Sequence, residues 1–363
     1  MRFCNRMGLK DPCMEQQPPE ARNYFLACYA VSLVQGHTIK GAYIKHSTLK
    51  EYIKEALIIF DDRGVSHSSK PDFLATINKA HSSYENVPNR RRMITDGMME
   101  WFIKQAEKAP LDSELRAIVD WIIVGRYTGF RSSEWCQETQ KTYARIMGWP
   151  GEPSLAMTRS DFTPLGEGER RITKTKDLNA DTVRYLSCRW RHQKNGDNGE
   201  EITFSGDISN RKYCIVTAGL RIYHRSLRLG TKDHEPMAVC VKKGKVQFIT
   251  ARKVTALLRE AAQEVLGLQE KDPVVNQWST HSIRVTAANL LHRMQLSTTC
   301  IQKRLRWKSD AFLMYLRNTI HAADAHTKAI TVKLSPSDLQ AASYRKAEPH
   351  EVIVQAGAAA PAA

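Results

Sequence analysis

The sequence predicts a mainly α-helical protein with one small β-sheet, divided into a helical N-terminal domain and an α+β second domain. Apolar residues recur at helical spacing far apart in the chain, as in Leu49, Ile53, Leu57 and Phe60 and again in Leu115, Ile118, Val119 and Ile122. Only residues 182–204 change to a β-like pattern, broken by the turn Lys194-Asn195-Gly196-Asp197-Asn198-Gly199. A chain of 363 residues also exceeds what one ordinary core organises.

Residues 1–20 are polar, with Gln16-Gln17-Pro18-Pro19, and are expected to form a flexible leader. Residues 21–88 read as the helical domain. Ser47-Thr48-Leu49-Lys50-Glu51 has the pattern of a capped helix start, and another helix is expected over 71–83, after Lys70-Pro71. Asn86-Val87-Pro88-Asn89 then signals a turn, so 89–94 is read as the linker. It contains Arg90, Arg91 and Arg92, which are either a solvated charge run or contacts to phosphate.

The second domain is expected over 95–335. Helices are predicted at 95–108 and 113–126, after which Thr128-Gly129 interrupts the chain and places Arg131 at the start of the next helix. A strand over 182–191 turns through 194–199, the only clear hairpin turn, and returns over 201–204. Helices resume at 215–229, 250–266, 281–294, 298–306 and 310–318. Residues 336–363 drift into Ala-rich low complexity and are expected to be disordered.

Composition narrows the function. The net charge is +16 and the pI about 9.5. Residues 336–363 add two basic and three acidic side chains, so the surplus belongs to the body of the chain, which suits a polyanionic partner. The eight cysteines form no CxxC pair and the twelve histidines no HExxH, which points to a reducing compartment and to no metal site. The start of the chain lacks the apolar core of a signal peptide. The longest apolar run, 117–125, is too short to span a membrane and contains Asp120.

A set of chemical residues stands in order along the second domain. Thr128-Gly129-Phe130-Arg131-Ser132-Ser133-Glu134 comes first, and His281-Ser282-Ile283-Arg284 follows about 150 residues later. Trp307 lies twenty-three residues after Arg284, and Tyr315 eight residues after Trp307. Arginine presents a permanently charged fork that pairs with two phosphate oxygens at once. A tyrosine oxygen can displace a sugar oxygen and hold the phosphate covalently. His281 and Arg284 share one helix face, while Arg131 and Glu134 read either as site residues or as an ordinary ion pair three residues apart.

These motifs, in this order over roughly 95–320, resemble the tyrosine recombinase/integrase (phage-integrase-like) family. The segment 21–88 is similar by position and helicity to that family's N-terminal DNA-clamping domain. Arg189-Trp190-Arg191-His192-Gln193-Lys194-Asn195 and the stretch from Arg306 to Arg317 look closest to recombinases of eukaryotic mobile elements of the DIRS and Crypton kind. The resemblance implies that Arg131 and Arg284 flank a scissile phosphate, with Glu134 supporting Arg131. His281 would donate hydrogen bonds or move protons, Trp307 would wall the pocket and donate through its indole N–H, and Tyr315 would be the nucleophile. The eight-residue step from Trp307 to Tyr315 departs from the commoner nine. The family also uses a hairpin lysine as general acid; Lys194 takes that place, with Lys174 and Lys176 as competitors.

The function implied is a site-specific DNA recombinase or integrase that stores bond energy in a 3′-phosphotyrosine. Its partners would be double-stranded DNA and further copies of the chain, as a tetramer on DNA, and it would need no cofactor. A type IB topoisomerase shares this chemistry but rejoins the same strand, and a catalytically silent DNA-binding regulator derived from a mobile element is the other alternative. The place would be the nucleus for a eukaryotic element and otherwise the cytoplasm.

Overall fold

The computed structural model describes residues 2–38, 41, 43–65, 72–83, 90–136, 156–193, 196–294 and 296–316. The chain forms two units, Met1–Arg90 and Arg91–Ala363.

The described part of the first unit is helical: α1 (Arg2–Arg6), α2 (Pro19–Val34), α3 (His46–Asp62) and α4 (Asp72–Ser83). Proline opens α2, at a position whose N–H would have had no helical partner. Leu26, Ala30 and Leu33 of α2 pack with Leu49, Ile53 and Phe60 of α3 and Leu74 of α4, so the sequence stripe in α3 is a core face. The start of α3 differs from expectation. Lys45, in extended conformation and without a side-chain cap, precedes it, and Ser47 and Thr48 lie inside the first turn.

Residues 2–20, expected to be a flexible leader, are instead anchored. The Phe3 ring lies 5.1 Å from Phe25 and 5.2 Å from Tyr29, and Cys4 and Cys13 are buried. Buried Arg22 donates to the carbonyls of Met14 and Glu15 at 3.1 and 3.4 Å. Polar composition concealed this because the anchors are one aromatic ring, two cysteines and backbone oxygens.

The second unit contains α5 (Asp96–Lys108), α6 (Glu114–Thr128), α7 (Ser132–Trp135), β1 (Phe162–Leu165), β2 (Tyr185–Trp190) and β3 (Glu200–Ser205). They are followed by α8 (Ile215–Arg228), β4 (Val239–Lys242), β5 (Lys245–Phe248), α9 (Ala251–Leu266), α10 (Thr280–Arg293) and α11 (Thr298–Leu305). Every residue of α6 from Ala117 to Gly125 is buried, which explains the short apolar run. A carboxylate inside that run must be paired. Arg221 and Arg225 of α8 hold Asp120, each at 2.6 Å. Helix α10 approaches so closely that a Cβ on Gly125 would lie 2.5 Å from Ile283 Cγ2.

The main sheet is antiparallel in the order β1-β2-β3, with Cys188 of β2 opposite Phe162 on one side and Ile202 on the other. Strand β1 was not expected. It contains Pro164, which cannot donate to a ladder and so suits a sheet edge. The hairpin β4–β5 was also missed, so 194–199 does not mark the only hairpin turn. Its turn residues Lys243 and Gly244 both have positive φ (52° and 72°), the requirement of a tight two-residue hairpin.

Residues 91–94, read from sequence as linker, belong to the second unit: Ile94 is buried and its N–H meets Thr286 Oγ1 at 2.8 Å. The helix expected over 310–318 is a 3₁₀ turn, Asp310–Tyr315, in the described residues. The segment 336–363 lies outside the described residues. No described helix is long and apolar enough to cross a membrane.

Candidate active site

The junction between α6 and α7 sets the first arginine. Gly129 ends α6 in left-handed conformation (φ 57°), and a Cβ there would lie 2.8 Å from Leu305 Cδ2. Glycine is therefore required twice, by backbone angle and by the approach of α11. Arg131 follows as the N-cap of α7, one quarter exposed (26%). Its N–H meets Glu134 Oε2 at 3.0 Å and its guanidinium meets Oε1 at 2.8 Å. Glu134 is buried, so this is an anchored group rather than a surface ion pair.

Helix α10, capped by Ser279, carries His281 and Arg284 in its first turns. Arg284 is buried and donates to the carbonyls of Gly129 and of Leu305, the latter at 3.1 Å. It thereby ties the end of α6 to the end of α11. Burial, followed by the like charge of Arg131, pushes its pKa down to about 9, which leaves it protonated at neutral pH. His281 is pushed down to about 4 by burial, then by Arg284, Arg91 and Arg131, so it is neutral there.

The C-terminal elements close around this pair. The Arg284 guanidinium lies 4.5 Å from the centroid of the Trp307 ring. Tyr315 stands edge-on to Trp307 at 4.7 Å and tilted against His281 at 4.9 Å. Phe312, fully buried, seats the 3₁₀ turn, and Asn289 of α10 donates to the Tyr315 carbonyl at 2.8 Å. A 3₁₀ turn advances about 2 Å per residue, more than an α-helix, so it suits the short step from Trp307 to Tyr315. Trp307 Nε1 is buried with no hydrogen-bond partner among the described residues. An orphaned buried donor costs about 1–3 kcal/mol and calls for an acceptor.

The structure thus brings Arg131, Glu134, His281, Arg284, Trp307 and Tyr315 into one place. Lys194 lies outside the described residues. Its hairpin turn is tied to the C-terminal segment by the ion pair Lys308–Asp197, 2.7 Å. Lys174 and Lys176 are exposed at a 3₁₀ turn, Thr175–Asp177, rather than on a strand. Arg90 is exposed, whereas Arg91 bonds to the Asn276 carbonyl and Arg92 to Gln277 Oε1 at 2.6 Å, with its guanidinium over Trp278.

Sequence reasoning missed Asn289, Arg91 as a neighbour of His281, and Arg306, whose guanidinium meets Glu134 Oε2 at 2.9 Å. Asn289 follows His281 by eight residues and was detectable on the same helix face. Arg306 carried no periodic signal.

No family model matches the chain, and no curated protein matches it. Among solved structures, it is similar to the XerH site-specific recombinase bound to palindromic difH substrate in a post-cleavage complex. The identity is 14%, with a TM-score of 0.50, covering 85% of this chain and 70% of that one. It is also similar to the Tn1549 transposon integrase in complex with transposon right end DNA, at 14% identity and TM-score 0.46, covering 85% of each chain. The XerA recombinase matches at 13% identity and TM-score 0.39, over 92% of this chain and 89% of that one. The mainly helical architecture with small antiparallel sheets is that of the tyrosine recombinase fold.

Proposed function

We propose that the protein is a site-specific DNA recombinase or integrase in which Tyr315 becomes joined to a DNA 3′-phosphate. The observation that carries this reading is the contact of Tyr315 with both His281 and Trp307, while Arg284 lies against Trp307. A nucleophile, a neutral proton carrier, a cation and an N–H donor left unpartnered by the described residues are the parts that phosphodiester exchange needs.

In the proposed reaction the Tyr315 oxygen attacks phosphorus and the bond to the 5′-oxygen breaks. His281, beside the phenol ring and neutral at about pH 7, donates hydrogen bonds or moves protons at the scissile oxygens. Arg131 and Arg284 stabilise the non-bridging oxygens, and Trp307 Nε1 donates to one of them. Lys194 protonates the departing 5′-oxygen. The 5′-hydroxyl of a partner strand then attacks the phosphotyrosine and releases Tyr315. One phosphodiester replaces another of similar energy, so no ATP is consumed.

Duplex DNA is the partner, with affinity dominated by phosphate contacts, and the assembly on DNA is a tetramer. The phrases around Arg189 and Arg306 favour a eukaryotic mobile element as the source. The test is trapping on a nicked suicide duplex with peptide mapping of the adduct. Tyr315→Phe should bind DNA but form no adduct, and an adduct mapping to Tyr127 or Tyr344 would overturn the assignment. Strand exchange between two duplexes separates this activity from simple religation.

A further inference from the structure

Arg306 occupies a position unfavourable to arginine in two ways. It closes α11 in left-handed conformation (φ 57°, ψ 55°), and its side chain is 0% exposed. Residues with a Cβ adopt that conformation at a cost, and burying a cation is costly unless it is paired. Burial pushes its pKa down to about 10, with Glu134 acting in the opposite direction. A glycine would suit the backbone and an apolar side chain the burial. The arginine is therefore best explained by what it touches.

Its contacts join three elements. One nitrogen meets Glu134 Oε2 at 2.9 Å and another donates to the Thr128 carbonyl at 3.2 Å. The guanidinium lies 3.7 Å from the centroid of Trp190, at the end of β2, the strand that leads into the 194–199 turn. The same Glu134 holds Arg131 through its N–H and its guanidinium. One buried carboxylate therefore serves two guanidiniums, and the trio carries a net charge of +1.

That sharing has an electrostatic consequence. Glu134 facing Arg131 alone would form a neutral pair and weaken the charge Arg131 offers to an anion. With Arg306 on its other side, the carboxylate is compensated from within the protein. Arg131, the more exposed of the two arginines (26% against 0%), keeps a positive charge toward solvent.

We infer that Arg306 is a positioning residue that holds and compensates Glu134, so that the Arg131 guanidinium stays aimed at the scissile phosphate and its charge is not offset by the carboxylate. This rests on the strand-transfer function proposed above.

The experiment measures adduct formation on the nicked suicide duplex, and DNA affinity, for wild type, Arg306→Met, Arg306→Lys, Glu134→Gln and the double variant Glu134→Gln/Arg306→Met. Arg306→Met should slow adduct formation on the order of 10–100-fold, the size of loss known for the outer hydrogen-bonding partners of metal ligands. DNA affinity should change little, and Arg306→Lys should recover part of the rate by restoring the charge. Removing the carboxylate charge as well should relieve the defect, so the double variant should be faster than Arg306→Met and close to Glu134→Gln. A double variant as slow as the product of the two single effects overturns the inference, because independent structural losses add in free energy. So does a wild-type rate in Arg306→Met. If Arg306→Met does not fold, Glu134→Gln against the double variant decides it: equal rates support the inference, and a large drop overturns it. Absence of a Tyr315 adduct in wild type would instead remove the proposed function itself, and the inference with it.

Discussion

Arg284 and Trp307 are in cation–π contact at the centre of the candidate site: the guanidinium of the first lies 4.5 Å from the ring centroid of the second. The same guanidinium donates to the carbonyls of Gly129 and Leu305. Arg284 is thus a structural clamp, in addition to its proposed role as a charge toward phosphate. Arg131 differs, being one quarter exposed and held through Glu134.

The two arginines should therefore separate on substitution. Arg131→Ala should slow cleavage by on the order of 10²–10³-fold or more, with a small change in melting temperature. Arg284→Ala should lose cleavage and stability together, because each carbonyl left without a donor costs about 1–3 kcal/mol. Thermal unfolding and single-turnover cleavage of both variants check this. Equal melting temperatures would show that the clamp is energetically unimportant.

Gly129 should tolerate no side chain. Gly129→Ala must hold φ near 57° with a Cβ 2.8 Å from Leu305 Cδ2. The backbone alone costs about 1–3 kcal/mol, and the clash adds to it. Leu305→Ala opens a cavity by itself but relieves that clash, so the double variant should lose less than the sum of the single losses. Chemical denaturation of the four proteins reads the coupling directly, and strict additivity would contradict the packing described.

His281 gives a pH dependence with a definite sign. Its pKa is lowered to about 4 from an ordinary 6.5, by burial and then by Arg284, Arg91 and Arg131. Between those values the unfolded chain binds more protons than the folded one, so stability rises with pH. The contribution is complete above pH 6.5 and is lost as pH falls toward 4. The stability difference between wild type and His281→Asn, measured from pH 7.5 to 4, should narrow or reverse across that window. A difference independent of pH would mean that the imidazole titrates normally.

Lys194 is tested through the leaving group. If it protonates the 5′-oxygen, Lys194→Ala should cleave ordinary DNA slowly and recover most of its rate on a substrate with sulfur at the 5′-bridging position, since a thiolate leaves without protonation. Arg131→Ala should gain much less, because its effect is on the non-bridging oxygens. Lys174→Ala and Lys176→Ala serve as comparisons. Rescue of either one, with Lys194→Ala normal on ordinary DNA, would move the general acid to the Thr175–Asp177 turn region.

Much of this protein could be read without coordinates because its signals are local. Apolar spacing of three and four residues specifies α3 from Leu49, Ile53 and Phe60, since helix geometry alone puts those side chains on one face. Glycine after Thr128 marks the end of α6 because few other residues accept its backbone angle. Residue order and type singled out Arg131, His281, Arg284, Trp307 and Tyr315 through the resemblance they carry to the tyrosine recombinases. The tertiary structure decided what depends on partners far along the chain. Phe3 is fixed by Phe25 and Tyr29, Asp120 is paired by Arg221 and Arg225, and Arg306 is set on Glu134 by the packing of α11 against the end of α6. Periodicity reports which face of an element is buried, but a charge pair across 172 residues leaves no periodic trace. It exists only where folding brings a second arginine to a carboxylate already holding the first.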